Sequence, residues 1–189
     1  RDRSVSRGLG DVYKRQDITA ANIGGITGYA EKSTVSNCYS KGSISGKIKY
    51  CGGIIGQIQK STNVSNCYNT AEISTTLASA QRVGGIVGYT DDQLGSGTVN
   101  NCMVTTTDMG VDKDGNTCWV AYALDGTVGN CYWPNDTKYR PSPLEADQGT
   151  PVSDFTSAGV LTGLQTNASK DVKWVAGIDH PTFKWDERH

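Results

Sequence analysis

Gly24-Gly25-Ile26-Thr27-Gly28-Tyr29, followed after a short turn by Thr34-Val35-Ser36-Asn37-Cys38-Tyr39, is the stretch on which this chain is built. It returns as Gly52-Gly53-Ile54-Ile55-Gly56 with Asn63-Val64-Ser65-Asn66-Cys67-Tyr68. It returns again as Gly84-Gly85-Ile86-Val87-Gly88-Tyr89 with Thr98-Val99-Asn100-Asn101-Cys102. A fourth, degenerate copy reads Thr117-Cys118-Trp119-Val120-Ala121-Tyr122, then Thr127-Val128-Gly129-Asn130-Cys131-Tyr132. In this alignment Thr117, Cys118 and Ala121 stand in place of the three glycines. A unit that recurs at this length is the signature of a stacked-repeat architecture.

Each copy consists of short β-branched runs separated by turn residues, which read as strands. The expected strands of the first copy are Ile23 to Tyr29, Thr34 to Tyr39 and a short one from Gly42 to Gly46, with Asp17 to Asn22 leading in. No stretch within the repeats carries the 3.6-residue apolar spacing of a helix. One copy cannot bury its own apolar face, whereas stacked copies share a continuous core. The expected fold is therefore all-β: a parallel β-solenoid of about four coils. Its winding should be right-handed, because parallel crossovers are so in about 98% of cases. The small-residue motif marks close backbone approach or positive φ.

Around this core the chain divides into four parts. Residues 1–16 (RDRSVSRGLGDVYKRQ) resemble a translated sequencing-adapter read-through and join nothing in the repeat, so they are set aside as a non-native or disordered tail. Residues 17–132 carry the repeats. Residues 133–152 hold four of the five prolines and read as a linker. Residues 153–189 read as a small α+β cap over the end of the stack. There Thr150-Pro151-Val152-Ser153-Asp154 resembles a helix start, and Phe155, Ala158, Leu161 and Leu164 could share one helix face. Surplus length between copies falls in Thr75–Gln81 and Thr90–Gly97, where surface loops of a repeat protein often carry contacts.

Composition narrows the function classes. Glycine makes up 23 of 189 residues, without a collagen triplet, so the excess belongs to turns and close packing. Net charge is −1, too balanced to steer the chain to nucleic acid or an anionic membrane. No apolar run of about 18 residues is present, which excludes a direct membrane insertion by helix in this fragment. Only ten charged residues lie between Ile23 and Thr107. Ser, Thr and Asn supply the polar surface there, as suits exposed faces of sheet.

The pattern Gly-Gly-Ile-x-Gly followed by Thr-Val-x-Asn-Cys-Tyr resembles the GLUG repeat of bacterial surface proteins, over about Ile23 to Tyr132. The repeat positions that carry the resemblance are Gly24, Gly25, Gly28, Asn37 and Cys38; Gly52, Gly53, Gly56, Asn66 and Cys67; Gly84, Gly85, Gly88, Asn101 and Cys102; and Asn130 and Cys131. The fourth copy and Met103, in place of Tyr, depart from it. The resemblance implies a β-solenoid module, part of a longer chain, exposed on or secreted from bacteria. Such repeats occur in adhesin-like proteins and beside the peptidase domain of IgA-specific metallopeptidases. Partners of that setting would be host glycans or glycoproteins.

Candidate chemistry is sparse. Cys38, Cys67, Cys102 and Cys131 hold one repeat position, so stacking predicts a column of parallel thiols about 4.8 Å apart. A disulfide wants converging Cβ atoms about 3.8 Å apart, and tetrahedral zinc wants four ligands around one point. Free, buried thiols are expected, with no metal and no cofactor. Cys51 and Cys118 should lie two coils apart. The four asparagines should form a second column, an amide ladder. Tyr39, Tyr68 and Tyr132 form a third, which packing explains better than sugar binding because Met103 interrupts it. Asp112-Lys113-Asp114-Gly115-Asn116 resembles the start of a calcium loop, but the twelfth position is Ala123 instead of an acid. Only His180 and His189 occur, both in the tail. Asp91, Asp92 and Asp108 could supply a carboxylate pair but lack a recurring basic partner. No catalytic residues are assigned. The expectation is a non-catalytic surface or secreted module. The alternatives are an accessory domain of a larger extracellular enzyme, such as a metallopeptidase, and a carbohydrate-active β-helix enzyme.

Overall fold

A computed structural model describes residues 17–75, 82–90, 97–110, 117–121, 126–136, 149–168 and 172–186. These residues are mostly strand, with one short helix. The first copy of the repeat holds β1 (Asp17–Gly24), β2 (Thr27–Glu31) and β3 (Thr34–Ser40). The second holds β4 (Ser43–Gly52), β5 (Ile55–Gln59) and β6 (Asn63–Asn69). Then come β7 (Glu72–Thr75), β8 (Arg82–Gly84), β9 (Val87–Thr90), β10 (Gly97–Asn100) and β11 (Met103–Val104). The last copy gives β12 (Thr117–Cys118), β13 (Gly126–Gly129) and β14 (Tyr132–Pro134).

The chain visits three parallel sheets in turn. The first sheet is ordered β1-β4-β8-β12, with β7 also beside β4. The second is β2-β5-β9, which Ala121 extends by a bridge to Val87. The third contains β3, β6, β10, β11, β13 and β14. Equivalent residues face one another: Val35 pairs with Val64, Val64 with Val99, and Val99 with Val128. Both β7 and β8 pair with β4, so the surplus at Thr75–Gln81 enters opposite a single continuous strand. The inserted residues themselves, 76–81 and 91–96, lie outside the described set.

The structure moves the strand boundaries expected from the sequence. Ile23 to Tyr29 is not one strand: it bends at Gly25 and Ile26, where the chain passes from the first sheet to the second. Glycine is required there. A Cβ on Gly52 would run into the carbonyl oxygen of Ile55, and one on Gly85 into that of Trp119 in the next copy. Asp17 to Asn22 is no lead-in but belongs to β1, and Ser43 to Gly46 is absorbed into the ten-residue β4, with Gly42 just before it.

The fourth copy is also shifted by one residue. Thr117 pairs with Val83 and Cys118 with Gly84, so Trp119, not Cys118, stands where Gly85 stands. Among the described residues no further copy of the corner follows it, and a side chain fits. Trp119 is fully buried and stacks on Trp133, with ring centroids 5.5 Å apart and planes 12° apart. The apolar core runs through all four copies, from Ile23 and Ile54 to Val120 and Cys131.

The end of the chain differs most from expectation. Thr150-Pro151-Val152 is not a helix start but β15 (Thr150–Val152), which pairs in parallel with β14. The stretch 133–152 is thus a linker only in part. Pro151 is tolerated because it lies on an edge strand. The helix α1 (Ala158–Gln165) begins after Ser157, which makes no side-chain cap bond. Val160 and Leu164 are its buried residues, while Ala158 is exposed. A small antiparallel pair follows, β16 (Trp174–Val175) with β17 (Thr182–Phe183). Among the described residues no helix is long and apolar enough to cross a membrane.

This tail does not close the end of the stack. It lies along the flank, over the row Tyr39, Tyr68, Met103 and Tyr132, with which Val160, Leu164, Val172, Trp174 and Phe183 form a second core. The Nδ2 of Asn101 donates to the Thr166 carbonyl at 3.0 Å. Tyr68 meets Trp174 and Phe183, and Tyr39 meets Trp185. From helix to Trp185 the tail therefore runs back from the later copies to the first. The aromatic row offers the tail an outward apolar surface to bury, while the Trp119–Trp133 pair occupies the stack end.

Candidate functional site

The repeated Asn-Cys pair is the most ordered polar feature of the molecule. Asn37, Asn66, Asn101 and Asn130 all have positive φ, between 50° and 60°. Asparagine is among the few L-residues that enter this region readily. Each one bends its strand and resets the alternation of side chains. Val35 and Cys38, three residues apart, then both face the core. Each cysteine closes the bend behind it: its thiol donates to the carbonyl two residues back. Cys38 reaches Ser36, Cys67 reaches Ser65 and Cys102 reaches Asn100, each at 3.2 Å, and Cys131 reaches Gly129 at 3.4 Å. A weak thiol donor thus satisfies a backbone acceptor that the bend leaves in the core.

The asparagine amides form a ladder along the same line. Asn130 Nδ2 donates to Asn101 Oδ1 at 3.1 Å, and Asn101 Nδ2 to Asn66 Oδ1 at 3.4 Å. Asn37 Oδ1, at the head of the row, is buried without a partner. Sequence reasoning reached the columns but not the backbone conformation. The preference of Asn for positive φ was the signal that could have found it.

All six cysteines are free. Burial pushes the Cys51 thiol up to about 12. The neighbouring thiol of Cys67, then burial, raises Cys38, and burial, then its neighbours, raises Cys102. Cys51 and Cys102, fully buried and held protonated in this way, are neither nucleophiles nor ready metal ligands, whereas Cys38 is only half-buried. Cys51 pairs with Val83, and Cys118 stands one residue further along the sheet and two copies after Cys51, as expected.

The tyrosine row is occupied from within the chain. Tyr39 stacks on Tyr68 at 5.0 Å and 6°, and Tyr68 is almost wholly buried. Its hydroxyl lies 3.3 Å from Thr182 Oγ1 and donates to Asp186 Oδ2 at 3.2 Å. A sugar cannot stack there while the tail is docked. The other candidates are scattered. Asp108 is exposed, and its Oδ1 accepts from the Gly110 N–H at 3.3 Å. His180 packs on Tyr68 at 5.4 Å. Asp91, Asp92, Asp112 to Asn116, Ala123 and His189 lie outside the described residues.

Two outward features escaped the sequence reading. Tyr50 stacks on Tyr89 at 4.5 Å, with the Arg82 guanidinium 4.2 Å from the Tyr89 centroid and the Lys49 ammonium 5.0 Å from that of Tyr50. Nearby, Asn22 Nδ2 donates to Gln57 Oε1 at 2.9 Å. On the second sheet, Lys60 Nζ donates to Glu31 Oε1 at 2.6 Å, and the Tyr29 hydroxyl lies 2.8 Å from Gln59 Oε1. Lys60, then Tyr29, holds the Glu31 carboxyl below its ordinary range. These residues come together only because consecutive copies stack, so no local pattern announced them.

Comparison with known proteins identifies the motif of the first repeat. Residues 19–45 match the family model of the GLUG motif, so the chain carries that motif. The paired registers show that the later copies repeat its geometry. The chain is similar to halomucin of Haloquadratum walsbyi (strain DSM 16790 / HBSQ001), 33% identical over 83 residues. That alignment covers 42% of this chain and 1% of halomucin. No solved structure matches the chain.

Proposed function

We propose that this chain is a non-catalytic segment of a larger surface or secreted repeat protein, in which a right-handed β-solenoid of about four coils forms an adhesin-like stalk or binding surface. The observation that carries this reading is the row Val35, Val64, Val99 and Val128, held in register through the third sheet. Successive copies that repeat one backbone path in three sheets bond to their neighbours along their whole length. Such an object resists bending and carries no enclosed cleft by construction. The similarity to halomucin supports an extracellular or surface setting, although that relative is archaeal and the resemblance read from the repeat was bacterial. Host glycans or glycoproteins are the partners in this reading, met by outward side chains and by loops between copies.

Antibodies raised against the chain should label intact, unpermeabilised cells that carry the full gene. Labelling only after permeabilisation would overturn the surface assignment. A glycan array probed with the chain tests the binding role separately from the stalk role.

A further inference from the structure

The two ends of the stack are built differently. At the late end the core is sealed: Cys118, Trp119, Val120 and Ala121 are fully buried, and β15 covers the edge of β14. At the early end it is open. Ile26, Ile54, Ile86 and Val120 hold one position in successive copies, and their exposures are 46%, 0%, 0% and 0%. Val35, Cys38 and Ile44 are half-buried where Val64, Cys67 and Ile73 are buried. The strands β1, β2 and β3 each have a single strand neighbour among the described residues, all on the same side.

The corner states what chemistry is missing. The Ile54 carbonyl accepts the N–H groups of Ile26 and Thr27 from the preceding copy. Ile86 does the same for Ile54 and Ile55, and Val120 for Ile86 and Val87. The Ile26 carbonyl holds that acceptor position at the open end, and no donor to it is found among the described residues. The asparagine ladder donates from Asn130 to Asn101 and from Asn101 to Asn66, and Asn37 holds the same repeat position in the first copy. A lone extended peptide could pair one of the three free edges. Only a segment that turns the same corners can pair all three at once and deliver two N–H groups to Ile26.

We propose that this open face accepts one further coil of the same repeat, entering in place of residues 1–16, which carry neither a Gly-Gly corner nor an asparagine and are shorter than the 28 residues that separate Asp17 from its partner Ser45. That coil requires the small corner, because a Cβ at its second glycine would meet the Gly25 carbonyl as one on Gly25 meets that of Gly53. It also calls for Asn at the ladder position, where Asn37, Asn66, Asn101 and Asn130 all take positive φ. The proposal rests on the coil reading above. Halomucin, which extends far beyond the aligned stretch, shows that similar sequence occurs within much longer chains.

The test replaces residues 1–16 with a second copy of residues 17–44, and compares it with a copy whose two corner glycines are valine. Native-state alkylation of Cys38 and thermal unfolding are measured in the original chain and in both variants. Seating of the coil should slow Cys38 alkylation by about tenfold or more and raise the Tm, as local protection follows burial. The valine copy should do neither. Equal Cys38 rates in all three proteins would overturn the proposal. So would dimers of the original chain that protect Cys38, because a second copy would then be the occupant. Protection of Cys67 and Cys102 in the original chain reports on the coil reading itself. Loss of that protection would remove the reading, whereas a change at Cys38 alone concerns the face.

Discussion

Trp119 and Trp133 lie face to face, 5.5 Å apart, at the two positions that Gly85 and Val104 occupy one copy earlier. In Gly85 the direction of the missing side chain points at the Trp119 carbonyl and at the Val104 methyls. Among the described residues no further copy of the corner lies beyond Trp119, and the space that excludes a side chain elsewhere here admits two indoles. They seal the core that the tail leaves uncovered.

Removal of this seal should be costly. Trp119→Ala is expected to lose about 3–5 kcal/mol in urea unfolding, the range for a large buried aromatic. A loss below about 1 kcal/mol would show that the pair decorates the end without closing it.

The asparagine bends separate two effects. Asn101→Gly keeps the positive φ but removes the amide, while Asn101→Ala removes both. The alanine variant should be less stable than the glycine variant by about 1–2 kcal/mol, the cost of a left-handed L-residue. Equal stabilities would mean that the amide, not the backbone, holds the bend.

Two glycines should respond in opposite directions. At Gly53 a Cβ would strike the Gly85 carbonyl and the Asn69 side chain, so Gly53→Ala should destabilise by about 1–3 kcal/mol or more. Gly159 lies in α1 with open space around it, so Gly159→Ala should stabilise by about 0.5–1 kcal/mol. Both are read from chemical denaturation midpoints.

The buried thiol of Cys51 sets an alkaline limit. Its folded pKa of about 12 exceeds the unfolded value, so the folded state holds the proton more tightly. That contribution is complete below the unfolded pKa, near 8.5, and falls as pH rises towards 12. Stability should therefore decline above about pH 9, and Cys51→Ala should decline less steeply. Parallel pH profiles of the two proteins would falsify the assignment.

The tail should behave as a flank clasp. Tyr68→Phe keeps the ring contacts but loses the bond to Asp186 and the contact with Thr182, at a cost of about 1 kcal/mol. Truncation after Val152 should expose Tyr39, Tyr68 and Met103 and so create dye-binding apolar surface. No gain in dye binding would show that the row is covered by something other than the tail.

Much of this architecture was written in the sequence. The spacing of Gly-Gly-Ile and Asn-Cys specified parallel stacking, because identical units can bury identical faces only by lying in register. The same periodicity placed Val35 over Val64 and Cys38 over Cys67 without any coordinates. Tertiary structure alone decided where the chain turns its corners, since Gly25 and Ile26 bend for lack of room beneath the next copy. It also decided the register of the degenerate copy, where Trp119 is legible as a plug only once its one-residue shift and its stack on Trp133 are seen. The tail was settled in the same way. Trp174, Phe183 and Trp185 announce apolar surface to bury, but only the assembled sheet offers Tyr39, Tyr68, Met103 and Tyr132 as the row to bury it against.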